Sequence, residues 1–200
     1  MQPLRWQEAV MEMISEAPVT LVSTPRAFGA TTLAVHLTLN RSADSNAVIL
    51  SNALEPVQNI AETLIRADAA FQLSLRPSLT LRNRISHRRI ALLHPDLGQW
   101  YRMRPLEPSL VVLDGVNTMP PLFITSLIDR LPQAHLLLLG TLISTSDAED
   151  ETGSGWFKYA FRHAYERGWN AFQFNALPRE VKGEMAQRVQ AFREWEPRHG

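Results

Sequence analysis

Apolar residues recur along the chain in two patterns, one typical of helices and one typical of buried strands. Spacing of three or four residues between apolar positions predicts amphipathic helices at residues 6–14 and 57–65. Short apolar runs without alternation, at residues 19–23, 110–113 and 136–139, indicate strands buried on both faces. Both kinds of element therefore contribute to one core.

The remaining elements continue the same alternation of strands and helices. A hairpin is predicted around residues 83–87, and the polar, acidic segment 145–155 is predicted to be a mobile loop. Strands that alternate with helices predict an α/β fold with a mostly parallel central sheet covered on both faces. Further helices are predicted at 31–40, 122–131, 156–167 and 181–192, and further strands at 47–50, 79–81, 89–93 and 172–174.

Composition narrows the classes of function without naming one. The formal net charge is zero, which excludes a uniformly basic nucleic-acid binder but leaves room for a local basic face. The chain has no cysteine, so disulfides and thiolate metal sites are excluded. The first residues carry Glu8 and Glu12, unlike a signal peptide, and the apolar runs are too short to span a bilayer, so no membrane association is expected.

The first predicted strand runs into a segment that could bind phosphate. Residues 23–32 read Ser-Thr-Pro-Arg-Ala-Phe-Gly-Ala-Thr-Thr and then enter a helix, whose N-terminal N–H groups attract anions. Aligned on a phosphate-binding loop, Gly29 is the second glycine and Thr31 is the hydroxyl on the metal side, whereas Thr24 replaces the first glycine and Ala30 replaces the lysine. An ordinary strand–turn–helix, with Gly29 present for its backbone freedom, is the alternative interpretation.

Two later strands end in residues that suit the same chemistry. The strand at 110–113 is followed by Asp114, as in nucleotide-hydrolysing enzymes that present a carboxylate to Mg²⁺. Gly115 stands where a water-activating glutamate would follow. The strand at 136–139 ends in Gly140 and Thr141, a position from which a hydroxyl could sense a γ-phosphate. Each feature alone also fits a plain core strand.

The order of these elements, together with two later segments, resembles the ATPase domain of phage terminase large subunits. Residues 153–159 read Gly-Ser-Gly-Trp-Phe-Lys-Tyr and residues 165–168 read Tyr-Glu-Arg-Gly, as in the aromatic helix of that family. Residues 4–7, Leu-Arg-Trp-Gln, resemble its adenine-recognising segment. The resemblance covers about residues 4–175. It implies a P-loop NTPase-like three-layer sandwich and a single ATPase domain over residues 1–200, without the nuclease domain.

The resemblance also implies roles for individual residues. ATP would be bound with Mg²⁺, the metal being held by Thr31 and Asp114. Arg26 would supply the basic charge that Ala30 lacks, and Gly115 leaves the glutamate's role without a substitute, Asn117 and Glu107 being only distant candidates. The residues implied to contact the nucleotide are Gln7, Arg26, Gly29, Ala30, Thr31, Thr32 and Thr141, and those implied to act in catalysis are Asp114 and Arg26.

A basic stretch in the middle of the chain is the candidate DNA contact. It could meet DNA phosphates through Arg84, Arg88 and Arg89, or it could be a solvated hairpin. Its members share a positive charge or a titratable ring and are Arg76, Arg82, Arg84, His87, Arg88 and Arg89, followed by Arg102 and Arg104.

Taken together, the resemblance implies a nucleotide-binding domain for viral DNA packaging in which ATP hydrolysis is weak or lost. Its expected partners are double-stranded DNA, the portal or other packaging proteins, and further copies in a homo-oligomeric ring, in the cytoplasm of a host cell. Two alternatives stay open because fold alone does not separate them. One is a non-catalytic DNA- or protein-binding module on the same fold, and the other is a helicase or helicase-loader type of ATPase.

Overall fold

The computed structural model of the chain describes residues 3–25, 28–40, 45–52, 54–75, 79–95, 104–142 and 153–174. The predicted helix at 181–192, most of the predicted loop at 145–155, and Arg26 lie outside the described residues.

The described strands form one eight-stranded sheet in the order β3-β4-β5-β2-β6-β7-β1-β8. Neighbouring strands from β5 to β8 along this order run parallel, while β4 runs antiparallel to both β3 and β5. The mostly parallel sheet predicted from the sequence is therefore confirmed. The strands are β1 (Val19–Ser23), β2 (Ala47–Ser51), β3 (Phe71–Ser74), β4 (Thr80–Asn83), β5 (Arg89–Leu93), β6 (Leu110–Asp114), β7 (His135–Gly140) and β8 (Asn170–Gln173).

The described residues contain five α-helices, of which the first precedes β1 and the other four lie between strands. None of them is long and apolar enough to cross a membrane. They are α1 (Arg5–Met13), α2 (Ala30–Asn40), α3 (Leu54–Ala67), α4 (Pro121–Arg130) and α5 (Gly153–Arg162), with short 3-10 turns at Ile14–Glu16, Arg104–Leu106, Val116–Thr118 and Tyr165–Arg167.

The helices cover both faces of the sheet, which gives the three-layer sandwich. Successive side chains of a strand point to opposite faces, so each central strand feeds two cores. One core joins α1, α2 and α3 to residues such as Val22 and Val112, and the other joins α4 and α5 to residues such as Leu21 and Val111. Because both faces are buried, β1, β2 and most of β6 read as continuous apolar runs.

The structure differs from the sequence-based prediction at two elements. Strand β3 was not predicted; it is a short edge strand whose last three residues are exposed, so it lacks a strong apolar pattern. The helix predicted at 156–167 is shorter, since α5 ends at Arg162 and a separate 3-10 turn leads to Gly168, whose φ of +65° closes it. The predicted hairpin between β4 and β5 is confirmed.

Candidate functional site

Four parallel strands end together at one edge of the sheet. Ser23 of β1 is paired with Gly140 of β7, and Asp114 of β6 is paired with both Leu139 of β7 and Ser51 of β2. Ligands of open parallel sheets bind at the carboxyl ends of the strands. The sequence-predicted Asp114 and Thr141 are therefore brought to the edge at which the turn after β1 lies.

The turn after β1 has the backbone needed at its predicted glycine. Gly29 has φ +95°, a left-handed conformation that costs other residues free energy. Helix α2 begins at the next residue, and its first intrahelical bond joins the Leu33 N–H to the Gly29 carbonyl at 3.0 Å. The N–H groups of Ala30, Thr31 and Thr32 therefore belong to the first helical turn, where backbone donors lack intrahelical acceptors and attract anions.

Thr31 and Asp114 meet across β7. The Thr31 hydroxyl donates a hydrogen bond to Asp114 Oδ2 over 3.1 Å, although the two residues lie on different elements. Burial raises the pKa of Asp114, and the hydrogen bond from Thr31 opposes that rise. A partly buried carboxylate next to a hydroxyl is a pair of hard oxygen donors, which suits Mg²⁺.

A metal held by Thr31 and Asp114 would have to complete its coordination shell with ligands other than His, Cys, Asp or Glu side chains of the described residues. Among the described residues, no group of three or more His, Cys, Asp or Glu side chains is placed to hold a metal ion. Mg²⁺ is commonly held by one or two protein oxygens, with phosphate oxygens and water completing its shell. The Thr31–Asp114 pair fits that mode of binding.

Gln7 is placed differently from the adenine contact that the resemblance implies. The side chain is fully buried, its amide donates to the Gly29 carbonyl at 2.9 Å, and its oxygen accepts from the Leu4 N–H at 2.8 Å. Trp6 beside it packs on Phe28 of the loop, with ring centroids 5.6 Å apart. Gln7 therefore holds α1 against the turn after β1. Both the oxygen and the nitrogen of its amide are hydrogen-bonded within the protein.

Thr141 also contacts the loop rather than pointing away from it. Its hydroxyl donates to the Thr24 carbonyl at 2.8 Å, and the Thr24 N–H donates to the Gly140 carbonyl at 3.0 Å. The end of β7 is thus bonded to the residue that stands where a phosphate loop has its first glycine. The Thr141 hydroxyl is therefore used in a contact within the protein.

No carboxylate follows Asp114, and the backbone explains why one would be strained there. Gly115 has φ +81°, so the chain turns in a left-handed conformation directly after β6. The side chain of Asn117 is bonded to Thr141 and Ser154. Glu107 precedes β6, at the opposite edge of the sheet. Neither distant candidate replaces a water-activating glutamate.

The basic hairpin between β4 and β5 lies at the end of the sheet where β5 and β6 begin, as Glu107 does. Its arginines differ in exposure. Arg84 and Arg89 are exposed, but Arg88 is buried and its guanidinium donates to the Thr38 carbonyl in the last turn of α2. The expectation that Arg88 contacts DNA is corrected by this burial. A cation near the last carbonyls of a helix favours the helix dipole, so Arg88 stabilises α2 instead.

Comparisons with known proteins bear on the fold. No protein-family model matches the sequence, and no curated protein matches it. Solved structures do match: a large terminase from a thermophilic bacteriophage gives a TM-score of 0.68 at 13% identity, over 94% of this chain and 50% of that chain. The large terminase of bacteriophage HK97 gives 0.64 at 15% identity, over 91% of this chain and 41% of that one.

A third match is to a shorter protein. The ATPase domain of a Thermus phage large terminase gives a TM-score of 0.59 at 14% identity, over 97% of this chain and 86% of that domain. The chain therefore spans about half of the first two terminases and most of the separate ATPase domain. The chain has the P-loop type α/β fold of the ATPase domains of phage large terminases.

Proposed function

We propose that this chain is a terminase-like nucleotide-binding domain that takes part in viral DNA packaging. The observation that carries the proposal is the 3.1 Å contact between Thr31 and Asp114, made at the carboxyl edge of the sheet beside a helix N-terminus. A hydroxyl at the start of the helix and a carboxylate at the end of β6 are the two protein oxygens that P-loop sites offer to Mg²⁺.

In this proposal the first turn of α2 holds the phosphates of ATP. The N–H groups of residues 30–32 bind phosphate oxygens, Thr31 and Asp114 bind Mg²⁺, and Arg26 adds positive charge from the loop. The bound metal neutralises charge that develops on the phosphates. Solved structures of the thermophilic phage terminase with ADP and with ATP-γ-S support a nucleotide as the ligand.

Hydrolysis is proposed to be weak or lost. Ala30 supplies no ammonium to the phosphates, and Gly115 supplies no carboxylate to orient water. These are separate contributions to transition-state stabilisation, so losing both costs more than losing either. The left-handed backbone of Gly115 also favours the second candidate function, a non-catalytic module that keeps this fold and binds DNA or a protein.

The partners proposed are those of a packaging machine: double-stranded DNA, portal or other packaging proteins, and further copies of the chain in a ring. The matches to large terminases support this assignment. Exposed Arg84 and Arg89 are the residues proposed to meet DNA phosphates.

A calorimetric titration of ATP with Mg²⁺ into the purified chain tests the proposal. We expect binding weaker than about micromolar, because the missing lysine removes a charge-assisted contact of roughly 1.5–3 kcal/mol, or about tenfold to a hundredfold in affinity. Asp114→Asn and Thr31→Val should each remove the dependence on Mg²⁺. Thr63→Val is the matched control, since the Thr63 hydroxyl bonds only within α3 in the described contacts.

Two results would contradict the proposal in different ways. Absence of any heat with wild-type protein would favour the non-catalytic module. Binding that stays Mg²⁺-dependent in both Asp114→Asn and Thr31→Val would place the nucleotide at a different site.

A further inference from the structure

Asn117 joins three elements at the carboxyl edge of the sheet. It lies in the 3-10 turn Val116–Thr118, and its Oδ1 accepts a hydrogen bond from the Thr141 N–H at 2.7 Å. Its Nδ2 donates to the Thr141 carbonyl at 2.8 Å and lies 3.1 Å from Ser154 Oγ in the first turn of α5. The Asn117 carboxamide therefore makes two hydrogen bonds to the Thr141 backbone, one to its N–H and one to its carbonyl, as a neighbouring strand would.

The end of β7 is shaped around this side chain. A Cβ added to Gly140 would lie 2.8 Å from Asn117 Oδ1 and 2.9 Å from Cε1 of Phe157, both closer than real Cβ contacts. Gly140 is thus needed because Asn117 and α5 approach the backbone directly. This independent feature shows that the position of Asn117 is built into the packing of the edge.

A continuous line of hydrogen bonds runs from the turn after β1, here called the phosphate-loop turn, to α5. Thr24 at the start of the turn accepts a bond from the Thr141 hydroxyl at 2.8 Å. The backbone of Thr141 is bonded to Asn117, and Asn117 is bonded to Ser154. Asn117 is the link in this line that contacts both the strand and the helix.

We propose that Asn117 is a positioning residue that transmits nucleotide binding from the phosphate-loop turn to α5. The inference rests on the proposed nucleotide binding. When a nucleotide settles on the turn, Thr24 and Thr141 adjust together, and the Asn117 carboxamide carries the adjustment to Ser154. Asn117 itself does not touch the nucleotide, so its removal cuts the connection to α5 and leaves the phosphate contacts in place.

Fluorine NMR of the full chain labelled with 5-fluorotryptophan tests this transmission. Trp6 packs on Phe28 and reports on the turn, while Trp156, two residues after Ser154, reports on α5. Single Trp→Phe replacements assign the two resonances. With Mg²⁺ and ATP-γ-S, we expect both resonances to shift in wild type, and only the Trp6 resonance to shift in Asn117→Ala.

A matched control separates this role from a general effect on the edge. Asn52 donates to the carbonyl and hydroxyl of Thr118, so its described hydrogen bonds support the same turn and do not involve Thr141 or Ser154. Asn52→Ala should keep both shifts. If circular dichroism shows that Asn117→Ala is unfolded, Asn117→Asp replaces it, because it keeps the volume and the acceptor for Thr141 while setting an oxygen against the Thr141 carbonyl.

The outcomes distinguish this inference from the proposed function. A Trp156 shift that persists in folded Asn117→Ala or Asn117→Asp, or that is absent in wild type while Trp6 shifts, overturns the transmission and leaves nucleotide binding intact. No shift of either resonance in wild type, with no heat of binding, overturns both.

Discussion

At the scale of single residues, Asp114 is the proposed metal ligand, and its ionised form is disfavoured by its partial burial. Its carboxylate is partly buried beside the Thr31 hydroxyl, and loss of hydration there raises its pKa. The folded state therefore binds a proton on Asp114 more tightly than the unfolded chain does. This contribution to stability is fully present below the ordinary pKa of an aspartate and is lost as the pH rises through the raised pKa.

Replacement of Asp114 by asparagine should show this pH dependence directly. Asp114→Asn stays neutral and keeps an acceptor for Thr31, so its melting temperature should exceed that of wild type at about pH 7 and approach it at about pH 4. Thermal denaturation at both pH values measures the effect, with Asp129→Asn, at an exposed site on α4, as the control. If the melting temperature of Asp114→Asn differs from that of wild type by the same amount at both pH values, ionisation of Asp114 does not destabilise the fold.

At the scale of elements, the start of α2 and the turn after β6 each lack a side chain that the proposed chemistry would use. Ala30→Lys places an ammonium at the start of α2, and we expect it to tighten ATP binding about tenfold to a hundredfold. Ala30→Met has a long uncharged side chain and should give no such gain. Calorimetry on both variants separates the charge from the added volume.

Adding Gly115→Glu to Ala30→Lys should fail to produce the turnover that the family pattern would suggest. Gly115 has φ +81°, and a side chain there stores about 1–3 kcal/mol of strain. We expect Gly115→Glu to lower the unfolding free energy by about that amount, and Gly115→Asn to cost less, because asparagine tolerates the left-handed region. Phosphate release that rises clearly in the double variant would show that the turn can rearrange.

How far the sequence predicts these elements depends on the range of the interactions that form them. The buried strands β1, β2 and β6 have bounds close to those predicted, because burial on both faces is written as a local apolar run. Strand β3 was missed because it exists through pairing with β4, which no local pattern records.

Several residues of the candidate site could be predicted from the sequence, but most of the hydrogen bonds between them could not. Gly29, Thr31 and Asp114 follow strands in recognisable order, so their approach to one another could be expected. The bond from Gln7 to Gly29, the burial of Arg88 and the contacts of Asn117 depend on residues far away in sequence. Of the residues that pack around Asn117 at the end of β7, only Gly140 and Thr141 were indicated by a local sequence pattern.

At the scale of the whole molecule, the two proposed binding regions lie at opposite edges of the sheet. The hairpin precedes β5, whereas Asp114 is the last residue of β6, and a five-residue strand is about 16 Å long. With zero net charge overall, any DNA affinity has to come from a local face such as Arg84 and Arg89. DNA and nucleotide could therefore be bound at the same time.

The combined variant Arg84→Ala with Arg89→Ala should weaken binding to all DNA sequences alike. Two lost phosphate contacts should reduce the slope of log affinity against log salt by about 1.8. Fluorescence anisotropy at several salt concentrations measures both quantities, and Arg162→Ala, at an exposed position on α5 outside the hairpin, is the control. If affinity and slope stay unchanged, the stretch is a solvated hairpin. Arg88 is left intact because its removal would disturb α2.

The position of β1 in the sheet has a consequence for how the chain is made. β1 is synthesised well before its neighbours β7 and β8, since Val19 pairs with Leu136 and Thr20 with Asn170. Pairing between such distant segments is slow, and an unpaired apolar strand is prone to aggregation while it waits. A nascent chain that ends after β6 would still display β1 uncovered, so chaperone binding should concentrate on early, incomplete chains.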